Sequence, residues 1–139
     1  MNAVDTNVLV YAVDATEPTK QARATAILGE LSQRDEQLVV PWQTAVEFLA
    51  CLRRWENESR ITRDDTHAYL IDFLAVPPIV FPSIAALDIS LDLSSRYSLS
   101  HWDSMLLAAC IETGVDTLYT EDLDAGTTYD SVQVVNPFV

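Results

Sequence analysis

Basic residues are scarce in this 139-residue chain: Lys20 is the only lysine, and lysine and arginine together number 8 against 21 aspartates and glutamates, a formal net charge of −13. Such a balance argues against broad, sequence-blind nucleic-acid binding, which needs lysine and arginine on phosphates. It leaves the carboxylates either as a solvated acidic surface, as in a salt-adapted organism, or as working groups. Three glycines exclude a flexible linker and a glycine-rich phosphate loop. The only cysteines, Cys51 and Cys110, lie in apolar helical patterns without a CxxC, so they read as buried free thiols of a reducing compartment. His67 and His101 stand far apart in sequence, which argues against a zinc site built from cysteine and histidine. No apolar run approaches the roughly 20 residues that span a bilayer. The first residues show no basic start, long apolar stretch and small-residue cleavage site, so the expectation is a soluble cytoplasmic protein.

What is present is a chain with 49% hydrophobic residues, enough for one core, and residues 1–139 read as a single domain. The pattern alternates strand and helix. A first strand is expected at about 2–5, a helix at 19–33 with Ala22, Ala26, Ile27 and Leu31 on one face, and a strand at Leu38–Val40 stopped by Pro41. Helices follow at 43–56 and 63–75, then a short strand within "PPIVFP". Two more helices are expected at 84–96 and 101–113, the latter ended by Gly114 as a C-cap. "DTLYT" and "VQVV" close the chain as strands. Short apolar strands alternating with helices imply a mainly parallel sheet of four to five strands covered on both faces, an α/β/α arrangement. Ligand sites in such sheets lie at the carboxyl ends of the strands.

Four carboxylates fall at such positions. Asp5 follows the first strand in "DTN", where three polar groups interrupt two apolar runs. Glu47 lies in the second turn of the helix after "LVVP". Asp103 opens the helix before "DTLYT", and Asp122 follows that strand with Glu121 and Asp124 as neighbours of equal standing. Each has a structural alternative: Asp5 as a turn cap, Glu47 paired with Arg54, Asp103 as part of the S-x-x-D capping pattern begun by Ser100, and Asp122 as a turn residue before Gly126. If the four meet, two carboxylates about 4 Å apart repel by roughly 4 kcal/mol at an effective dielectric of 20. Relief requires protonation or a cation. A donor set of oxygens alone favours Mg2+ or Mn2+, and metal-assisted phosphodiester hydrolysis is the reaction class that follows.

The same segments resemble those of the PIN-domain ribonucleases, in particular VapC-type toxins. "AVDTNVLVYAVD" is similar to the family's opening strand and helix, and "PWQTAVEFLACLRR" to its second acidic segment. "LSHWDSMLLAACIETGVDTLYTEDLDAG" resembles its third and fourth, and "VQVVNPF" its closing strand. The resemblance covers essentially the whole chain in order. It implies the PIN-like three-layer sandwich, and an acidic quartet of Asp5, Glu47, Asp103 and Asp122, choosing Asp122 over its neighbours. Asp5 and Asp103 become the first metal ligands, with Thr6, Asn7 and Thr120 as supporting polar groups. It further implies Mg2+- or Mn2+-dependent hydrolysis of RNA by an activated water, a homodimer, and a cognate antitoxin whose terminal segment covers the groove.

The strong acidity sits against an RNA substrate. The best basic stretch is "CLRRWENESRITR", where Arg53, Arg54, Arg60 and Arg63 either contact RNA or antitoxin or pair with Glu56 and Glu58. Competing families fit less well. A response-regulator receiver and a haloacid-dehalogenase-type phosphatase both need a later lysine, and the latter also needs D-x-D where this chain has Asp5 and Asn7. A dinucleotide binder needs a glycine-rich first turn. The remaining alternative is a catalytically silent binding or scaffold module on the same fold.

Overall fold

The strands are only two to four residues long, and each sends adjacent side chains to opposite sides of the sheet, as a period of two requires. In the computed structural model, which describes all of residues 1–139, the chain runs β1 (Asn2–Val4), α1 (Thr6–Val13), α2 (Pro18–Ser32), β2 (Leu38–Pro41), α3 (Trp42–Asn57) and α4 (Arg63–Leu74). It continues as β3 (Ile79–Val80), α5 (Ala85–Tyr97), α6 (His101–Thr113), β4 (Thr117–Tyr119), β5 (Thr128–Tyr129) and β6 (Val132–Val135). The sheet order is β3-β2-β1-β4-β6-β5. All pairings are parallel except that of β5 with β6.

Ala3, Val39 and Leu118 enter one core with Leu93 of α5 and Leu106, Leu107 and Cys110 of α6. Their sequence neighbours Val4, Val40 and Tyr119 enter a second core with Val8, Leu9, Ile27, Leu31, Phe48, Leu52 and Trp55 of α1, α2 and α3. The result is the expected three-layer sandwich. Both cysteines are free and buried, and burial pushes the Cys110 thiol up to about 12. No helix is long and apolar enough to cross a membrane.

Three details depart from the sequence-based expectation. The sheet has six strands, because the two-residue β5 pairs antiparallel with β6; a strand so short carries no periodic signal. On α2 the buried residues are Ala24, Ile27 and Leu31, while Ala22 and Ala26 are exposed. An alanine has too little apolar surface to dictate which way a helix turns, and Ile27 and Leu31 set the stripe. Pro41 is the last residue of β2, opposite Val80, and also the residue that introduces α3.

The order of strands places the site. The chain leaves β1 toward β2 and β3 on one side, then returns across to β4 on the other. The carboxyl ends of β1 and β4 therefore flank a switch in winding direction, where helices diverge and a crevice opens.

Candidate active site

Asp5 stands where β1 ends. Its extended backbone makes it the N-cap of α1, and its Oδ1 accepts the Thr6 N–H at 2.7 Å. The Thr6 hydroxyl donates to Glu47 Oε2 at 2.9 Å. One threonine thus joins a carboxylate on β1 to one on α3. Across the switch, the Thr120 hydroxyl donates to Asp5 Oδ2 at 2.8 Å. Thr120 Oγ1 also accepts from the Asp122 N–H at 3.1 Å and from Asn7 Nδ2 at 3.2 Å. Asn7 Nδ2 donates in addition to Asp122 Oδ2 at 3.1 Å. Asp5, Glu47 and Asp122 are therefore knitted into one net by Thr6, Asn7 and Thr120.

Asp103 stands apart from this net. Ser100 caps α6, its Oγ accepting the Asp103 N–H at 3.2 Å. The reciprocal bond of a full capping box is not made, unlike that of Thr62 and Asp65 on α4, where both bonds are present. Capping explains Ser100 but leaves the Asp103 carboxylate without a protein donor. The start of α6 is tied to the site by Gln43, whose Nε2 donates to Glu47 Oε1 at 3.1 Å and to the Trp102 carbonyl at 3.1 Å. Gln43 carries a single signal in the sequence, its place four residues before Glu47 on one helix.

The electrostatics differ among the acids. Asp5 is 6% exposed, and its carboxyl is raised from 3.8 to about 6. Burial is the main cause, and the charges of Asp122 and Glu47 add to it against the lowering bonds from Thr120 and Thr6. Beside it opens a cleft of about 450 Å3 lined by Thr6, Asn7, Tyr11, Glu47, Arg54 and Asp122, among others. A separate groove of about 470 Å3 between α2 and α4 is mainly apolar and carries none of the four acids.

The side chains as they stand bring no three histidine, cysteine, aspartate or glutamate groups close enough together to hold an ion. The chemistry of the donors nonetheless fits a hard divalent cation. All are oxygens, Asp5 is a buried acid whose ionisation a nearby cation would favour, and Asn7 Oδ1 is buried with no hydrogen-bond partner.

The four arginines separate. Arg60 pairs with Asp14 Oδ1 at 3.2 Å and stacks over Trp55 at 4.2 Å. Arg63 pairs with Glu56 at 3.0 Å. Arg53 and Arg54 are exposed; Arg54 lines the cleft, and both line a second hollow on α3 of about 410 Å3.

A sequence family described as the PIN domain matches residues 3–130. No curated protein matches the chain. Among solved structures, a toxin–antitoxin complex from Klebsiella pneumoniae contains a chain 20% identical, with TM-score 0.69 over 99% of this chain and 98% of that one. VapC20 of Mycobacterium tuberculosis, described as a sarcin-ricin-loop-cleaving toxin, is 14% identical, with TM-score 0.64 over 88% of this chain and 90% of its own. FitAB bound to a DNA fragment is 18% identical, with TM-score 0.69 over 100% of this chain and 96% of that one. At these identities the likeness establishes the shared fold.

Proposed function

The chain belongs to the PIN-domain family, and on that premise we propose that it is a divalent-metal-dependent endoribonuclease, the toxin of a toxin–antitoxin pair. Residues 1–139 act as one unit, Mg2+ or Mn2+ is the cofactor, and RNA is the substrate. The observation that carries this reading is the net joining Asp5, Glu47 and Asp122 at the carboxyl ends of β1 and β4. The solved neighbours, a toxin–antitoxin complex and a toxin described as cleaving the sarcin-ricin loop among them, support the same class.

Asp5 and Asp103 are the residues that would hold the cation, Asp5 from a fixed, buried position and Asp103 with a carboxylate free of protein donors. When bound, the cation supplies positive charge to the phosphate oxygens and acidifies a water. Glu47 is gripped at both oxygens, by Thr6 and Gln43, which fixes it to orient the attacking water. Asp122, held by Asn7, either ligates or orients from the opposite wall. A water attacks phosphorus in line as the bond from phosphorus to the 3′ oxygen breaks, and the proton the water gives up ends on that oxygen, which leaves as a 3′ hydroxyl. Arg54, seven residues and therefore about 10 Å along α3 from Glu47, meets the RNA backbone, with Arg53 beside it. Arg60 and Arg63 are occupied by Asp14 and Glu56 and serve the fold.

A second copy and an antitoxin complete the assembly. Trp42, Phe81 and Trp102 are 49%, 64% and 63% exposed, and the Trp42 and Phe81 rings lie 5.2 Å apart. They give an otherwise acidic molecule a face on which two copies meet without charge repulsion. The antitoxin, a basic segment by complementarity, covers the acidic cleft.

The experiment is direct. Purified protein free of antitoxin is incubated with an RNA pool in Mn2+, in Mg2+ or in chelator, beside Asp5→Asn, Glu47→Gln, Asp103→Asn and Asp122→Asn. Cleavage that needs metal and is lost in Asp5→Asn is expected. Cleavage that persists in chelator or in Asp5→Asn refutes the reading, and a folded wild type that binds but never cuts RNA points instead to a silent binding module.

A further inference from the structure

The chain's one lysine is not free on the surface. Lys20 Nζ donates to the Tyr11 hydroxyl at 3.0 Å and to Glu121 Oε2 at 3.0 Å. The Tyr11 hydroxyl in turn donates to Glu121 Oε1 at 2.7 Å. The ammonium also lies over the Tyr11 ring at 4.5 Å and near the Phe138 ring at 5.9 Å, and those rings pack edge to face at 5.0 Å. Both oxygens of the Glu121 carboxylate are thereby occupied by groups from α1 and α2.

Glu121 immediately precedes Asp122 in a loop without regular structure. Asn7 and Tyr11 sit four residues apart on α1, so they share a face. From that face Asn7 grips Asp122 and Tyr11 grips Glu121. Consecutive loop residues are thus pinned from a single helix, and Lys20 reinforces the outer pin from a second one. In a molecule with 21 acidic residues, a loop carrying Glu121, Asp122 and Asp124 repels itself, and the Asp122 charge also acts on Asp5, so like-charge repulsion favours an outward loop. A cation bound to Glu121 counters that push without touching Asp122.

We infer that Lys20, Tyr11 and Glu121 form a clamp that positions Asp122 for metal binding, so that Lys20 is a positioning residue of the site rather than a contact for RNA. This rests on the nuclease reading for its purpose, but the clamp itself is a statement about the loop. The sign of one measurement separates it from simple electrostatics. Removing a positive charge near an acidic site strengthens cation binding if charge is all that Lys20 supplies; if Lys20 holds the loop, its removal weakens binding.

The test uses the full chain, stripped of metal, as wild type, Lys20→Met, Glu121→Gln and the double variant. Two quantities are read: Mn2+ affinity by calorimetry, and amide hydrogen exchange of residues 117–123. In Lys20→Met the Mn2+ dissociation constant is expected to rise about tenfold, the usual scale for loss of a group that orients a ligand. The Asp122 amide, which bonds to Thr120 Oγ1, is expected to exchange about tenfold faster while the β4 amides do not change. Glu121→Gln moves both in the same direction, and the double variant is no worse than the more damaged single one, because the two residues share a single interaction. Tighter Mn2+ binding in Lys20→Met, or unchanged exchange at Asp122, overturns the clamp. If wild type neither binds Mn2+ nor cuts RNA while exchange at Asp122 still accelerates in Lys20→Met, the nuclease reading fails and the clamp stands.

Discussion

Replacing Asp5 by asparagine is expected to abolish activity while making the metal-free protein more stable. Asp5 is buried, and its carboxyl is raised from 3.8 to about 6, so above pH 6 the folded state carries a charge that the unfolded state tolerates better. A folded-state value above the unfolded one contributes stability that is complete below pH 3.8 and is lost as the pH rises through about 6. At about 1.4 kcal/mol per tenfold change in ionisation, the difference amounts to about 3 kcal/mol at neutral pH. Asparagine avoids it, but cannot accept the Thr120 hydroxyl at the oxygen it has lost, a cost of about 1 kcal/mol. The net gain is about 2 kcal/mol, or very roughly 8 °C in melting temperature for a chain of this size. The assay is urea unfolding in chelator, followed by the fluorescence of Trp55, which is buried at 5% exposure. At pH 5 the charge-derived part falls to roughly half, since the wild-type carboxyl is then mostly protonated. Saturating Mn2+ reverses the order: metal at 100 times its dissociation constant stabilises the wild type by about 2.7 kcal/mol and leaves the variant unmoved. A variant less stable than wild type at pH 7.5 in chelator, or a gain that does not shrink on acidification, would refute the reasoning.

Other consequences can be checked separately. Arg54→Ala is expected to raise KM for RNA several-fold and to reduce the salt dependence of binding by about 0.7 in the log–log slope, with stability unchanged. Arg60→Ala, which strips the partner of Asp14 and the stack on Trp55, costs about 1–2 kcal/mol of stability and leaves the salt slope alone; exchanged outcomes would reverse these roles. Thr6→Val removes the hydroxyl from Glu47 Oε2 and is expected to lower kcat about tenfold through misorientation, with unfolding free energy changed by about 1 kcal/mol or less. Unaltered kcat would show that Glu47 needs no such grip. For the apolar face, sedimentation should find the wild type dimeric and a Phe81→Arg, Trp102→Arg double variant monomeric with the same circular dichroism. A wild type that sediments as a monomer at high concentration removes the dimer from the proposal.

The sequence by itself determined most of the elements, because what makes them is local; α1 came only with the family resemblance, and the two-residue β5 left no signal. Apolar strands of a few residues, Ser100 before α6 and Gly114 after it, at φ 80°, act through neighbours a turn away. That locality also placed Asp5 at the end of β1, since an aspartate after an apolar strand has nowhere else to go. The four ordered acidic segments pointed to the family, which the match over residues 3–130 bears out. Only the tertiary structure decided what each polar group does. Four arginines in one stretch look alike in sequence, yet Arg60 and Arg63 lie within reach of carboxylates while Arg54 faces the cleft. A capping pattern at Ser100 could not reveal that Asp103 leaves its own carboxylate unused. Gln43, Tyr11 and Lys20 gained roles from partners up to 110 residues away. Hydrogen bonds and ion pairs act over about 3–4 Å, and which groups come within that distance is settled by packing across the sheet, not by order along the chain.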